Sequence, residues 1–262
     1  MQRKRKLCNK SDTLSQENKK LKSLAETNLD TLYTQGYQVL KNRIEISPRI
    51  KKYLIELAKK NSAIIFNHNE KSRQNDKKRR QVNIRPRTQY MIEFMDGLNQ
   101  KLSSMFPHLK INDWVVIESK PGCKPQAAHT DYPPSDKNPP TNNNQIPINV
   151  LVCLQSNTYL NVWPRSHELI QSEAQRQEYL NVNKDIGEID NIKPIKMETI
   201  EMAMGDVLLF RGDLVHGGAG YDESNCRMHC FMDHGYRIPN RTWLIDGNGS
   251  EFLKKMIAVD HP

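Results

Sequence analysis

The residues best suited to chemistry lie in two separate segments of the chain. His129 and Asp131 form a His-x-Asp pair, whose side chains share one face of an extended segment because side-chain direction alternates along a strand. His216 follows the apolar run 207–210 and a turn at Gly212. Two imidazoles and one carboxylate form the facial triad that holds non-haem Fe(II) and leaves coordination positions open. His129, Asp131 and His216 are therefore predicted to be metal ligands.

Arg227 follows His216 by eleven positions, on the strand predicted to be the last one of the core. A guanidinium group can bind a carboxylate with two parallel hydrogen bonds. An arginine at this place therefore predicts that an organic acid binds beside the metal.

Other interpretations of the same residues remain open at this point. His129 and Asp131 are also compatible with a hydrogen-bonded surface pair, and His216 with a buried structural histidine. His167, in a Pro-x-Ser-His segment, is an alternative third ligand, although no arginine follows it at a similar distance. Cys226, His229 and Cys230 are close enough in sequence to suggest zinc, but a strand would direct Cys226 and His229 to opposite faces.

The order and spacing of these residues resemble the Fe(II)/2-oxoglutarate-dependent dioxygenase superfamily. Its pattern is His-x-Asp, a long gap, then His, ten residues and Arg-x-Ser, and the resemblance covers roughly residues 111–235. The segments 151–155 and 163–167 resemble the phytanoyl-CoA-hydroxylase-like branch, with Arg165 where that branch usually has glycine.

This resemblance implies that His129, Asp131 and His216 hold Fe(II) and that Arg227 pairs with the distal carboxylate of the co-substrate 2-oxoglutarate. The implied activity is hydroxylation of a C–H bond in an unidentified substrate, with dioxygen consumed, succinate and CO₂ produced, and ascorbate as the reductant. The chain departs from the pattern at His229, which stands in place of a Ser or Thr that helps to bind the distal carboxylate. His229 itself and Asn149 are the two candidates for that second contact.

The elements around these segments predict an α+β protein. Ser47 and Pro48 begin an amphipathic helix, residues 88–105 form a second one, and about eight short strands follow from residue 111. The family resemblance implies that these strands form a double-stranded β-helix (jelly-roll) core with the N-terminal helices packed on it.

Four regions follow from this pattern. They are a basic and disordered arm at 1–30, a helical support region at 31–110 with a basic loop at 67–87, the oxygenase core at 111–240, and a C-terminal extension at 241–262.

The positive charge is concentrated in two short stretches of the 262-residue chain, whose net charge is +9. Residues 1–22 and residues 71–87 hold eight basic side chains each, whereas the rest has a net negative charge. Such clusters attract a polyanion without recognising its sequence. The alternative function is therefore a non-catalytic jelly-roll module that binds nucleic acid or another polyanion through these stretches.

Composition limits the location of the protein and leaves several substrates open. The chain has no apolar run long enough to span a membrane, no secretory signal, and five cysteines without a CxxC pair, which predicts an intracellular protein of the cytoplasm or nucleus. The substrate is expected to be a small molecule, a protein side chain or a nucleic acid. The nucleic-acid demethylase branch has a further arginine six residues after its co-substrate arginine, where this chain has Asp233.

Overall fold

The computed structural model describes residues 28–60, 63–64, 77–132, 143–170, 194–235, 243–245 and 250–257. Most of the predicted basic arm at 1–30 and part of the second basic stretch, residues 71–76, lie outside the described residues.

The described residues form two antiparallel sheets. Their strands in chain order are β1 (Tyr37–Leu40), β2 (Ala63–Ile64), β3 (Arg79–Asn83), β4 (Lys110–Ile111), β5 (Val115–Ser119), β6 (His129–Thr130), β7 (Ile148–Cys153), β8 (Thr158–Val162), β9 (Glu198–Met202), β10 (Val207–Arg211), β11 (His216–Gly218), β12 (Asn225–Asp233) and β13 (Trp243–Leu244). The larger sheet has the order β1-β10-β7-β12-β5-β3-β2, with β4 paired to β12. The smaller sheet has the order β13-β6-β11-β8-β9.

Helices cover one face of the larger sheet. They are α1 (Asp30–Gln35), α2 (Pro48–Lys59) and α3 (Gln89–Met105), and α4 (Glu251–Met256) follows the strands. The Ser47 side chain accepts a hydrogen bond from the backbone N–H of Ile50 at 3.3 Å, so the predicted cap of α2 is confirmed. Leu54 and Ala58 of α2 are fully buried against the sheet.

Strand β12 separates two environments. Cys226, Met228 and Cys230 pack with the helices in the main apolar cluster. Arg227 and His229, which alternate with them, face the space between the two sheets. Apolar side chains from both sheets fill part of that space, and they include Leu151, Cys153, Leu160, Val162, Met202, Leu208 and Phe210. The site must therefore be built from the side chains that the helices do not cover.

One element differs from the sequence-based expectation. The predicted basic loop at 67–87 contains strand β3, which pairs with β5 along its whole length and aligns Arg79 with Ser119. Arg79 is fully buried rather than part of an exposed basic surface. The alternation is hard to see in the sequence because both Arg79 and Arg80 are charged, although their side chains lie on opposite faces of the sheet.

Cys123, Cys153, Cys226 and Cys230 are buried and free of disulfide bonds. Within the described ranges, no helix has the length and apolar character needed to cross a membrane.

The turn before β10 requires glycine, and we expect Gly205→Ala to destabilise the fold. Gly205 has φ +88°, and a Cβ atom there would lie 2.7 Å from the backbone oxygen of Ile44. The substitution should lower the free energy of unfolding by about 1–3 kcal/mol. Urea denaturation followed by circular dichroism measures this change.

Gly97→Ala is the matched control. Gly97 lies within α3, and a Cβ atom there would contact nothing within 4 Å. We expect this variant to gain roughly 0.5–1 kcal/mol of stability, because alanine restricts the unfolded chain. Equal effects of the two substitutions would contradict the strain at Gly205.

Candidate metal centre

The three predicted metal ligands converge on two neighbouring inner strands of the smaller sheet, β6 and β11. Strands β6 and β11 pair so that His129 lies directly opposite His216, and Asp131 follows immediately after β6. The Asp131 carboxylate oxygens lie 4.0 Å from Nε2 of His129 and 3.4 Å from Nε2 of His216. One ligand atom from each residue lies within 4.8 Å of the other two, and all three residues are buried. This spacing suits a single metal ion.

Backbone carbonyls fix the orientation of both imidazole rings. Nδ1 of His129 lies 2.7 Å from the carbonyl oxygen of Ala127, and Nδ1 of His216 lies 3.0 Å from that of Leu214. A carbonyl oxygen only accepts, so each Nδ1 carries the proton and donates it. The lone pair of each ring is then on Nε2, the atom that faces Asp131. Histidine ligands in metal sites are held by this kind of hydrogen bond.

The protonation states also fit a divalent cation. Burial, together with the neighbouring His216, lowers the pKa of His129 to about 4, so its imidazole is neutral near pH 7. Burial alone would raise the pKa of Asp131, but its interactions with His216, His129 and His229 together outweigh burial and hold the pKa of this carboxyl below its usual range. Metal ligands must be deprotonated, and both residues meet that requirement.

Asn149 holds the carboxylate of Asp131. Its Nδ2 donates to Oδ2 of Asp131 at 2.8 Å, and both residues are buried. The sequence-based prediction placed Asn149 at the distal carboxylate of the co-substrate, next to Arg227. The structure places it at the metal centre instead, because Asn149 is aligned with Phe231 on β12, four residues further along that strand than Arg227. Asn149 is thus a positioning residue for a candidate ligand.

A cavity of about 250 Å³ connects the three candidate ligands to Arg227. Its apolar walls come from both sheets and are formed by Ile117, Leu151, Leu160 and Phe210. Arg227 and His229 line it from β12, as expected from the Arg-x-His spacing. The metal centre and a basic group therefore share one partly enclosed space.

Arg227 is a buried cation with little compensation from the protein. It is 2% exposed, and its Nη1 donates to Oγ of Ser119 at 3.0 Å. Its guanidinium carbon lies 5.7 Å from the centre of the Tyr221 ring. No carboxylate among the described residues forms an ion pair with it. A buried charge without a counter-charge is costly, so an anion that enters this cavity is favoured at Arg227.

His229 lies beside the same cavity in an aromatic environment. Its ring centre is 4.6 Å from that of Phe231 and 6.1 Å from that of Phe210. Burial lowers the pKa of His229 to about 4, so this imidazole is neutral. It makes no hydrogen bond within the described part of the chain. His229 is available to a ligand. It is two residues further along β12 than Arg227 and therefore lies nearer to the metal centre.

Two alternative metal sites from the sequence are wrong. His167 is buried next to Gly36 and takes no part in the cluster. Cys226 and Cys230 pack on the helix side of β12, whereas His229 faces the cavity, so the three residues do not converge. In the ranges that the structure describes, His129, Asp131 and His216 are the one group that meets the geometry of a metal site.

One residue of the cavity region, Arg79, was not identified from the sequence. Arg79 lines the cavity, and its Nε donates to Oγ of Ser119 at 3.2 Å. Eight basic side chains crowd residues 71–87, and nothing in the sequence distinguishes Arg79 among them. Only the register of β3 against β5 separates this residue from its exposed neighbours.

Comparison with known families agrees with the arrangement of the site. The phytanoyl-CoA dioxygenase (PhyH) family model matches residues 24–227, which is most of the chain. The chain belongs to this family. The predicted membership of the phytanoyl-like branch of the Fe(II)/2-oxoglutarate-dependent dioxygenases is thus confirmed. No curated protein matches the sequence.

Solved structures of similar fold are distant from this chain in sequence. HygX from Streptomyces hygroscopicus, with nickel and 2-oxoglutarate bound, has a TM-score of 0.54 at 14% identity and covers 80% of this chain and 88% of its own. The 2-oxoglutarate-dependent carbocyclase SnoK from nogalamycin biosynthesis has a TM-score of 0.52 at 13% identity, and the match covers 80% of this chain and 85% of SnoK. A Pseudomonas putida prolyl-4-hydroxylase has a TM-score of 0.51 at 10% identity, and the match covers 81% of this chain and 100% of the hydroxylase. These likenesses confirm the double-stranded β-helix fold.

In the Pro-x-Ser-His segment, Arg165 has a backbone conformation that favours glycine, the residue usual at this position in the phytanoyl-like branch. Arg165 has φ +64°, in the left-handed region. Its guanidinium pairs with Glu168 at 2.9 Å on the surface. The following Ser166 accepts a hydrogen bond from the backbone N–H of Val215 at 2.8 Å, one residue before His216. The segment therefore supports the start of β11.

We expect substitutions at the metal centre to weaken metal binding in a graded way. Asn149→Ala leaves all three candidate ligands in place but releases Asp131, and should reduce Mn(II) affinity roughly 10- to 100-fold. His129→Ala removes a ligand and should reduce it further. Isothermal titration under anaerobic conditions measures both.

His108→Ala is the control, because His108 is partly exposed and lies outside the cluster. Its Mn(II) affinity should equal that of the wild type. Wild-type affinity in Asn149→Ala would show that the hydrogen bond to Asp131 does not position the carboxylate for a metal.

Proposed function

We propose that the protein is an Fe(II)- and 2-oxoglutarate-dependent oxygenase that hydroxylates a C–H bond of its substrate. The observation that carries this proposal is a single cavity that contains both groups. The candidate facial triad lies at one end of it, and the buried guanidinium of Arg227, which has no ion pair with a carboxylate of the described residues, lines it as well. Family membership supports the same chemistry.

His129, Asp131 and His216 would hold Fe(II), with Asn149 keeping the carboxylate in place. Bound iron supplies the redox chemistry that converts 2-oxoglutarate and dioxygen to succinate and CO₂ while one oxygen atom enters the substrate C–H bond. Ascorbate would serve as the reductant that keeps the iron in its Fe(II) state. Nitrogen and carboxylate ligands of this kind suit iron, and the carbonyl contacts of both imidazoles support a preformed site.

Arg227 would bind the distal carboxylate of 2-oxoglutarate and orient its keto acid toward the triad. Buried charge-assisted hydrogen bonds to a carboxylate are strong, and the carboxylate would compensate the guanidinium charge. The apolar walls at Ile117, Leu151 and Phe210 would exclude water from the chain of methylene groups between the two ends of the ligand.

Asp233 stands where the nucleic-acid demethylase branch has its further arginine, and it has a structural role in this chain. Asp233 accepts hydrogen bonds from the Tyr132 hydroxyl at 2.8 Å and from Nδ2 of Asn112 at 2.9 Å. The arginine of the nucleic-acid demethylase branch is absent at this position, which favours a small molecule or a protein side chain as the substrate. HygX has been crystallised with hygromycin B, a small molecule, at 13% identity to this chain.

Succinate formation from 2-oxoglutarate with Fe(II), ascorbate and dioxygen tests the proposal. Wild-type protein should form succinate slowly even without its substrate, and His129→Ala should form none. Arg227→Met should raise the KM for 2-oxoglutarate roughly 10- to 100-fold, because a buried charged hydrogen bond is lost. A candidate substrate is then identified by its ability to accelerate succinate formation.

His108→Ala again controls for non-specific effects of histidine replacement. Two results would contradict the oxygenase proposal: succinate formation in His129→Ala at the wild-type rate, or no binding of 2-oxoglutarate to the Mn(II)-loaded wild type.

A further inference from the structure

A second buried arginine reaches the same cavity as Arg227. Arg79 lies on β3, is fully buried, and lines the cavity together with Arg227. Strand β5 lies between β3 and β12, and its residue Ser119 is aligned with Arg79 on one side and with Asn225 on the other. Three neighbouring strands therefore bring two guanidinium groups to one end of the cavity.

The hydroxyl of Ser119 bridges the two cations. Its oxygen accepts from Nε of Arg79 at 3.2 Å and from Nη1 of Arg227 at 3.0 Å. A hydroxyl oxygen has two acceptor lone pairs, so these two bonds fill them. Two like charges held this close repel each other in a buried environment, and an anion that contacts both gains from both.

Arg79 is fixed before any ligand arrives. Its Nη2 donates to the carbonyl oxygen of Ala219 at 2.6 Å and to that of Lys124 at 3.3 Å. Gly218 lies under the guanidinium, and a Cβ atom there would lie 3.0 Å from its central carbon. A group that needs no reordering on binding contributes more of its interaction energy to affinity.

We propose that Arg79 is the second residue that binds the distal carboxylate of 2-oxoglutarate. It takes the part of the Ser or Thr that the family pattern has two positions after its arginine, where this chain has the neutral, cavity-lining His229. The inference rests on the proposed oxygenase function and deepens it. Two guanidinium groups at one end also make the cavity selective for a 2-oxo acid with a second carboxylate.

Binding of two 2-oxo acids to the Mn(II)-loaded protein, without oxygen, tests this role independently of turnover. 2-Oxoglutarate and 2-oxopentanoate have the same carbon chain, but 2-oxopentanoate lacks the distal carboxylate. Arg79→Gln should weaken 2-oxoglutarate binding roughly 10- to 100-fold and leave 2-oxopentanoate binding unchanged.

Arg80→Gln is the matched control, because Arg80 is the next residue of β3 and shares a face of the strand with Val82, which packs against the helix-side apolar cluster. It should bind both acids as the wild type does. Ser119→Ala removes only the bridging hydroxyl, and it should weaken 2-oxoglutarate binding by a smaller factor of about 3 to 10. This variant decides the matter if Arg79→Gln does not fold.

The outcomes separate the inference from the proposed function. Wild-type binding of 2-oxoglutarate by Arg79→Gln, or an equal loss of both acids, would overturn the role of Arg79. If Arg79→Gln does not fold, unchanged 2-oxoglutarate affinity in Ser119→Ala would overturn it. Failure of the wild type itself to bind 2-oxoglutarate would instead overturn the oxygenase function.

Discussion

Each strand of the larger sheet must satisfy two environments at once, because successive side chains point to opposite faces. On β12, Met228 packs against the helices while Arg227 and His229 face the cavity. A shift of one residue in the pairing of this strand would bury both polar residues under the helices and expose sulfur-containing side chains to the cavity. The apolar packing of the helix layer therefore fixes the register of β12, and the register determines which of its side chains face the cavity.

The site combines groups that are unfavourable to bury separately. Asp131 is an ionised carboxylate between two imidazoles, and Arg79 and Arg227 are cations a few ångströms apart. The protein stabilises each with hydrogen bonds, from Asn149 in one case and through Ser119 in the other. A divalent cation at the Asp131 end and a carboxylate at the arginine end would each lie next to groups of opposite charge. Occupied protein should accordingly be more stable than empty protein, since a ligand that binds only the folded state shifts the folding equilibrium.

Short-range patterns predicted much of this molecule. The candidate residues His129, Asp131, His216 and Arg227 stood out because their spacing is local to two segments of the chain. Ser47 and Pro48 marked a helix for the same reason. Asn149 was assigned to the co-substrate and Arg79 was not singled out, because the surroundings of both depend on which residues lie opposite them on distant strands. That register arises from the packing of the whole sheet, and neither residue has a local signature that carries it.

The buried cysteines of the larger sheet can be modified chemically only when its strands separate. Burial raises the pKa of the Cys153 thiol to about 12 and that of the Cys226 thiol to about 11, and burial also raises the pKa of Cys230 well above its ordinary value. The thiolate is the form that oxidants and alkylating reagents attack, so these side chains are inert while the strands remain paired. The paired strands thus keep these three thiols in an unreactive state. Modification of these cysteines would report strand separation.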